Sequence, residues 1–126
     1  MGTNNKNIVI TSAVRTAIGT FRGSLKDMQA KDLGALVTKA AMQKSNLDSN
    51  DIDELIMGQV LTGAAGQNPA RQAAIQAGIS IEKTAYVINQ VCGSGLRSVA
   101  AGYQAIMSND SKIIIAGGQE SMTNAP

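Results

Sequence analysis

The sequence predicts an α/β domain: a mainly parallel sheet with flanking helices, in the order β-α-β-α-β-α-β. Three observations predict it. Short apolar runs rich in β-branched residues recur at Ile8–Ile10, Glu54–Val60, Ala85–Ile88 and Lys112–Gly118. Segments with apolar residues at helical spacing separate them, and consecutive strand–helix units imply a parallel sheet covered by helices. The 126 residues are 44% hydrophobic and 16% charged, which suits one packed domain rather than a disordered segment.

The first strand is Ile8-Val9-Ile10, followed by a loop from 13 to 28 rich in Gly, Ser, Thr and charge. A helix is predicted from Lys31 to Lys44, with Leu33, Leu36, Val37, Ala40 and Ala41 on one face and Lys31, Thr38, Lys39 and Gln43 largely on the other. Asn46–Asp51 reads as a turn, Glu54–Val60 as the second strand and Gly63–Gly66 as a flexible connection. Asn68 is a natural N-cap with Pro69 at the first helical position, where its missing N–H costs nothing, and Gly78 a left-handed C-cap. The third strand, at 85–88, leads into a helix carrying Leu96, Val99, Ala100, Tyr103 and Ile106, and Lys112–Gly118 is the fourth strand. The third helix also holds Ala101, Gly102 and Ala105, so it is apolar or small on most faces and expects burial on most of them. Thirteen glycines against two prolines, with one Phe, two Tyr and no Trp, point to close helix–sheet packing by small side chains.

Several function classes are disfavoured by composition. The net charge of +2 comes from eleven basic residues scattered from Lys6 to Lys112, which provides no electrostatic footprint for nucleic acid or an anionic membrane. One cysteine forbids an internal disulfide, and the absence of histidine makes a zinc site implausible, so no metal is expected. The polar start, Met1 to Asn7, lacks a signal-type apolar region, Lys6 breaks a myristoylation pattern at Gly2, and no apolar run reaches membrane-spanning length. Cytoplasmic localisation is the expectation. Asn109-Asp110-Ser111 fits a glycosylation sequon but is read as a turn between helix and strand.

The lone cysteine lies in Asn89-Gln90-Val91-Cys92-Gly93-Ser94-Gly95-Leu96-Arg97, where a strand passes into a helix. Unpaired N–H groups and the positive end of the helix dipole favour a thiolate there, and the glycines let a substrate carbonyl approach the backbone. Cys92 is therefore a candidate nucleophile, with its own backbone N–H a possible oxyanion donor. The alternative is a free cysteine acting as a small core hydrophobe.

The Asn89-to-Ala100 segment closely resembles the nucleophile segment of the thiolases, in the subgroup acting on acetoacetyl-CoA. Val14-Arg15-Thr16-Ala17-Ile18-Gly19, Gly58-Gln59-Val60, Gly66 to Ala74 and Ala116-Gly117-Gly118-Gln119-Glu120-Ser121-Met122 resemble further ordered segments of the same family. The resemblance implies the first half of a duplicated five-layer α/β fold, with the nucleophile's helix sandwiched between two sheets. It also implies an acyltransferase that condenses two acetyl-CoA to acetoacetyl-CoA, and runs the reverse thiolysis, through an acetyl-cysteine on Cys92. Coenzyme A thioesters would be substrates, with no separate cofactor, in fatty acid metabolism, and the full-length protein would be a homodimer or homotetramer. Residues 1–126 then form one N-terminal thiolase-like domain, with the loop domain and C-terminal half lying outside them. The family's histidines and second cysteine cannot be among these residues, so the chain alone is expected to be inactive.

A dinucleotide-binding Rossmann-like module is the alternative. Gly93-Ser94-Gly95-Leu96-Arg97-Ser98 is one residue short of Gly-x-Gly-x-x-Gly/Ala, and Glu120 falls where a ribose-binding acid would sit. Ser98 and the unexplained cysteine weigh against it. A third possibility is a non-catalytic oligomerisation unit. Glu120 itself is expected to be structural, near the site entrance, and Arg71 and Arg97 to make ion pairs or cover helix surfaces. The six methionines read as dispersed core filling.

Overall fold

A computed structural model describes residues 6–126; the start of the polar N-terminal segment, with Gly2, lies outside the described residues. Six main elements follow one another: α1 (Ala30–Ser45), β1 (Glu54–Gly58), α2 (Pro69–Gln76), β2 (Thr84–Ile88), α3 (Ser94–Met107) and β3 (Ile114–Gly118), with a 3-10 turn at Ser49–Asp51 before β1. The strands pair in parallel in the order β2-β1-β3, with Gly58 opposite Ile88 on one side and Gly118 on the other. Their C-terminal ends are thus level. The α/β class and the parallel sheet hold as predicted.

The predicted first strand is not formed. Ile8–Ile10 joins no ladder, and Val9 and Ile10 are 73% and 79% exposed. Residues 8–21 instead line, with α1, α3 and β3, an open and mainly apolar cavity of about 950 Å³. An apolar triplet supplies β propensity, but a strand needs a neighbouring edge within hydrogen-bonding reach.

Strand period divides β1 between two layers. Leu55 and Met57 are fully buried in a core with Ala35 and Met42 of α1 and Ala70, Ala73 and Ala74 of α2. Ile56 and Gly58 point to the opposite face, toward α3, where a Cβ added to Gly58 would meet Ser94. Asp53 fastens the other end of the sheet. Its backbone N–H donates to the Ile113 carbonyl at 2.9 Å, and its carboxylate accepts the Lys112 and Ile113 N–H groups at 2.8 and 3.1 Å. Lys83 adds an ion pair at 3.4 Å.

Local signals were reliable around α2. Asn68 caps it, its Oδ1 accepting the Arg71 N–H at 3.1 Å, while its Nδ2 donates to the Ala85 carbonyl at 2.9 Å and so ties the helix start to β2. Gly78 sits at φ +92 as the left-handed cap, with the Gly78 N–H bonded to Ile75 and the Ile79 N–H to Ala74. Asn109, in the predicted turn, has φ +67 and pairs with Lys6.

The buried face of α1 differs from the predicted one. Ala30, Gly34, Ala35, Thr38 and Met42 are buried, whereas Leu36 is 53% exposed. Small residues win this face because α1 packs closely on α2: a Cβ at Gly34 would already stand 3.3 Å from that of Ala73 and would collide with the Gln119 amide. Leu33, Val37 and Ala41 line the cavity instead.

The same selection operates in α3. It meets the sheet through Ser94, Ser98 and Gly102, which are buried, while Leu96, Val99 and Tyr103 are exposed, Leu96 by 78%. One sheet covers the small-residue face, and the larger apolar side chains look away from it. Among the described residues no helix is long and apolar enough to cross a membrane.

Candidate active site

Close backbone approach at the level strand ends builds the site. The ladder continues one residue past the strands, with the Gln59 N–H donating to Ile88 at 3.1 Å and the Gln119 N–H to Gly58 at 2.9 Å. Both glutamine side chains are buried, and the Gln119 Nε2 donates to the Gln59 Oε1 at 2.8 Å. Gln59 Nε2 in turn donates to the Leu61 carbonyl at 2.8 Å, which sets the orientation of both amides. Glu120 accepts the Val60 and Leu61 N–H groups at 2.8 and 3.3 Å, so its carboxylate orders the loop after β1, as its predicted structural role requires.

Directly over this floor lies the start of α3. A Cβ at Gly58 would come within 2.5 Å of the Ser94 carbonyl carbon and 2.7 Å of the Gly95 nitrogen. Only glycine permits that contact. Ser98 completes the seat, its hydroxyl lying 2.8 Å from the Gly117 carbonyl and 2.6 Å from the Gly95 carbonyl.

Between β2 and α3 the chain turns through Gln90–Gly93, with the Gly93 N–H bonded to Gln90 and the Ser94 N–H to Val91. Val91 has φ +50, a left-handed conformation that is rare for a β-branched residue and costs on the order of 1–3 kcal/mol. Three side-chain contacts hold it there. Asn89 Oδ1 accepts the Val91 N–H at 2.9 Å, an Asx turn. Ser94 Oγ accepts the Gln90 N–H at 2.8 Å and donates to the Val91 carbonyl at 2.6 Å.

Cys92 is the crest of this turn, a free and exposed thiol two residues before α3 begins. The buried-hydrophobe alternative does not describe it. The exposed, tightly turned segment can present the sulfur to an incoming carbonyl group beside the first N–H groups of α3.

Other sequence candidates are placed elsewhere. Among the described residues Arg71 forms no ion pair; its guanidinium donates to the backbone carbonyls of Lys83 and Ile81, pinning the turn before β2. Lys83–Asp53 is the one ion pair among the described residues, so Arg97 is exposed without an acidic partner there. Glu120 accepts two backbone N–H groups of the loop after β1, a structural role for its carboxylate. No group of three or more His, Cys, Asp or Glu able to hold a metal occurs among the described residues. Sequence reasoning missed the roles of Gly58, Asn89 and Ser94. A glycine closing a strand and an asparagine directly before a turn were the available signals for Gly58 and Asn89.

Fold and site together define an α/β domain that sets a lone exposed cysteine on a tight turn into a helix, above the C-terminal ends of a parallel sheet. Residues 8–126 match the family described as "Thiolase, N-terminal domain", and the chain belongs to that family. It is 52% identical over 123 residues to an acetyl-CoA acetyltransferase of Rhizobium meliloti, covering 98% of this chain and 31% of that protein. An acetyl-CoA acetyltransferase of Escherichia coli is 53% identical over 121 residues, with 96% and 31% covered. A crystal structure of a thiolase from Ascaris suum in complex with coenzyme A superposes with a TM-score of 0.91 at 45% identity, covering 93% of this chain and 31% of that one. The chain therefore spans about 31% of the length of these relatives. The dinucleotide-binding alternative is not favoured by these matches.

Proposed function

We propose that the chain supplies the nucleophile of an acetyl-CoA acetyltransferase. Cys92 Sγ attacks the thioester carbonyl of acetyl-CoA, forming a new S–C bond as the bond to the coenzyme A sulfur breaks, and the thiol proton passes to the departing sulfur. A second acetyl-CoA, deprotonated at its methyl carbon, then attacks the acetyl-cysteine. The new C–C bond gives acetoacetyl-CoA, the C–S bond to Cys92 breaks, and the proton taken from the methyl carbon ends on the released Cys92 thiolate. Thiolysis is the reverse.

The observation that carries this reading is the exposed Cys92 on its braced turn, inside a family match that runs from residue 8 to 126. The Cys92 backbone N–H, at the mouth of α3, serves as an oxyanion donor. No histidine and no second cysteine occur in the 126 residues, so the acid–base groups of both steps come from outside them, and the chain alone does not turn over. The coenzyme A complex of the Ascaris suum thiolase, similar over 93% of this chain, supports a coenzyme A thioester as substrate. The uncovered apolar side of α3 supports a further covering layer; a homodimeric or homotetrameric enzyme of fatty acid metabolism in the cytoplasm is the assignment that the family resemblance and the sequence support.

The test is labelling. Protein expressed from its complete gene, incubated with acetyl-CoA labelled in the acetyl group and digested, should carry the label on the Cys92 peptide. Label on another residue, or an active enzyme with none on Cys92, would overturn the assignment.

A further inference from the structure

A chain of contacts connects all three strand ends to the cysteine turn. Glu120, just after β3, accepts the Val60 N–H at 2.8 Å just after β1. The Val60 carbonyl accepts Asn89 Nδ2 at 3.3 Å, just after β2. Asn89 Oδ1 then accepts the Val91 N–H at 2.9 Å, at the left-handed residue that precedes Cys92. A β-branched residue stays at positive φ only where its surroundings over-determine it. Asn89 is the member of this chain that touches both the strand-end platform and the strained residue.

We propose that Asn89 is a positioning residue: it transmits the geometry of the β1 end, itself ordered by Glu120, to Val91 and so sets where Cys92 Sγ stands. This rests on the nucleophile role assigned to Cys92. Asn89 does not touch the reacting atoms. Its two amide atoms do different work, since Oδ1 holds the turn and Nδ2 registers that turn against the loop after β1. The Oδ1 contact is the shorter and the local one. An aspartate, which retains an acceptor for the Val91 N–H, therefore preserves more of the brace than an alanine, which retains neither contact.

The experiment compares wild type, Asn89→Ala and Asn89→Asp in protein expressed from its complete gene. In acetoacetyl-CoA thiolysis, Asn89→Ala should lower kcat by about 10²-fold while KM stays within about threefold, the pattern of a displaced nucleophile rather than weakened binding. Asn89→Asp should recover most of kcat. Iodoacetamide alkylation of Cys92 needs no coenzyme A and is followed in parallel, with peptide mapping to isolate that thiol. Its rate should change by at least about threefold in Asn89→Ala and return toward wild type in Asn89→Asp. Circular dichroism confirms that each variant is folded at the assay temperature. A folded Asn89→Ala with wild-type kcat and wild-type alkylation overturns the proposal, as does Asn89→Asp behaving like Asn89→Ala in both measurements. Wild type that fails to cleave acetoacetyl-CoA would defeat the acyltransfer assignment instead, and the alkylation rates would still decide the brace.

Discussion

Replacing Gly58 by alanine probes the contact on which the site is built. The added Cβ would lie 2.5 Å from the Ser94 carbonyl carbon and 2.7 Å from both the Ser94 oxygen and the Gly95 nitrogen. Carbon atoms pack best at about 3.5–4.0 Å, so α3 and β1 must separate by on the order of 1 Å. The obstructing atoms are backbone, and Ser98 ties that turn to Gly117, so no side chain can swing aside. Overpacking of this kind costs about 1–3 kcal/mol, partly offset by the roughly 0.4–1 kcal/mol gained when a glycine is removed from the unfolded chain, leaving a central loss of about 1.3 kcal/mol. With a urea dependence of about 2 kcal/mol per molar, the unfolding midpoint should fall by roughly 0.7 M. Acyl transfer to Cys92 should fall further, by about 10²-fold, because the displaced helix carries the cysteine turn with it. Gly95→Ala is the matched control: nothing lies within 4 Å of its Cβ position, and alanine in the helix should leave the midpoint unchanged or raise it. Equal urea midpoints for Gly58→Ala and Gly95→Ala would refute the close-approach reasoning.

Three further outcomes are expected. The N–H groups of Lys112, then Ile113, with Lys83 nearby, hold the Asp53 carboxyl below its ordinary value against a smaller opposing effect of burial. A depressed folded-state value stabilises the protein above about pH 4, and that stability is lost as pH falls through the depressed value; Asp53→Asn should lower the urea midpoint at pH 7 and flatten its decline between about pH 5 and 3. The side chain is a third exposed, so solvent screening keeps the neutral-pH loss near 1 kcal/mol, and an unchanged pH profile would count against the clasp. Thr38 is fully buried with no partner for its Oγ1 among the described residues, so Thr38→Val should raise the thermal midpoint, by the equivalent of about 1 kcal/mol; a lower midpoint would mean that the hydroxyl is paired in solution. Cys92→Ser should abolish acetyl labelling while the unfolding free energy from urea titration changes by no more than about 0.5 kcal/mol, because the thiol is exposed; unfolding of this variant would make Cys92 architectural.

Elements governed by short-range chemistry were legible from the sequence. Asn68, Pro69 and Gly78 bound α2 because capping and left-handed backbone depend on residues a few positions apart. Buried β1 and half-buried β3 announced themselves by apolar runs, and the strand-to-helix passage placed Cys92 just ahead of α3. Beyond the single cysteine, the site was much less legible. Asn89, Ser94 and Gly58 act through atoms that the fold alone brings together.

By itself, then, the sequence determined the α/β class, the order of helices and strands that form, the thiolase resemblance and the candidate nucleophile, since each follows from local pattern or from a contiguous motif. Tertiary structure decided that Ile8–Ile10 joins no ladder, that α1 buries Gly34 and Thr38 rather than Leu36, and that α3 seats its serines and Gly102 while Leu96 faces outward. Amphipathic periodicity reports how apolar each face of a helix is, but the face that packs is chosen by how closely the neighbouring backbone can approach. Where neighbours come this close, the Ser94 backbone over Gly58 and the Gln119 side-chain amide over Gly34, the smallest residue is selected over the most apolar one.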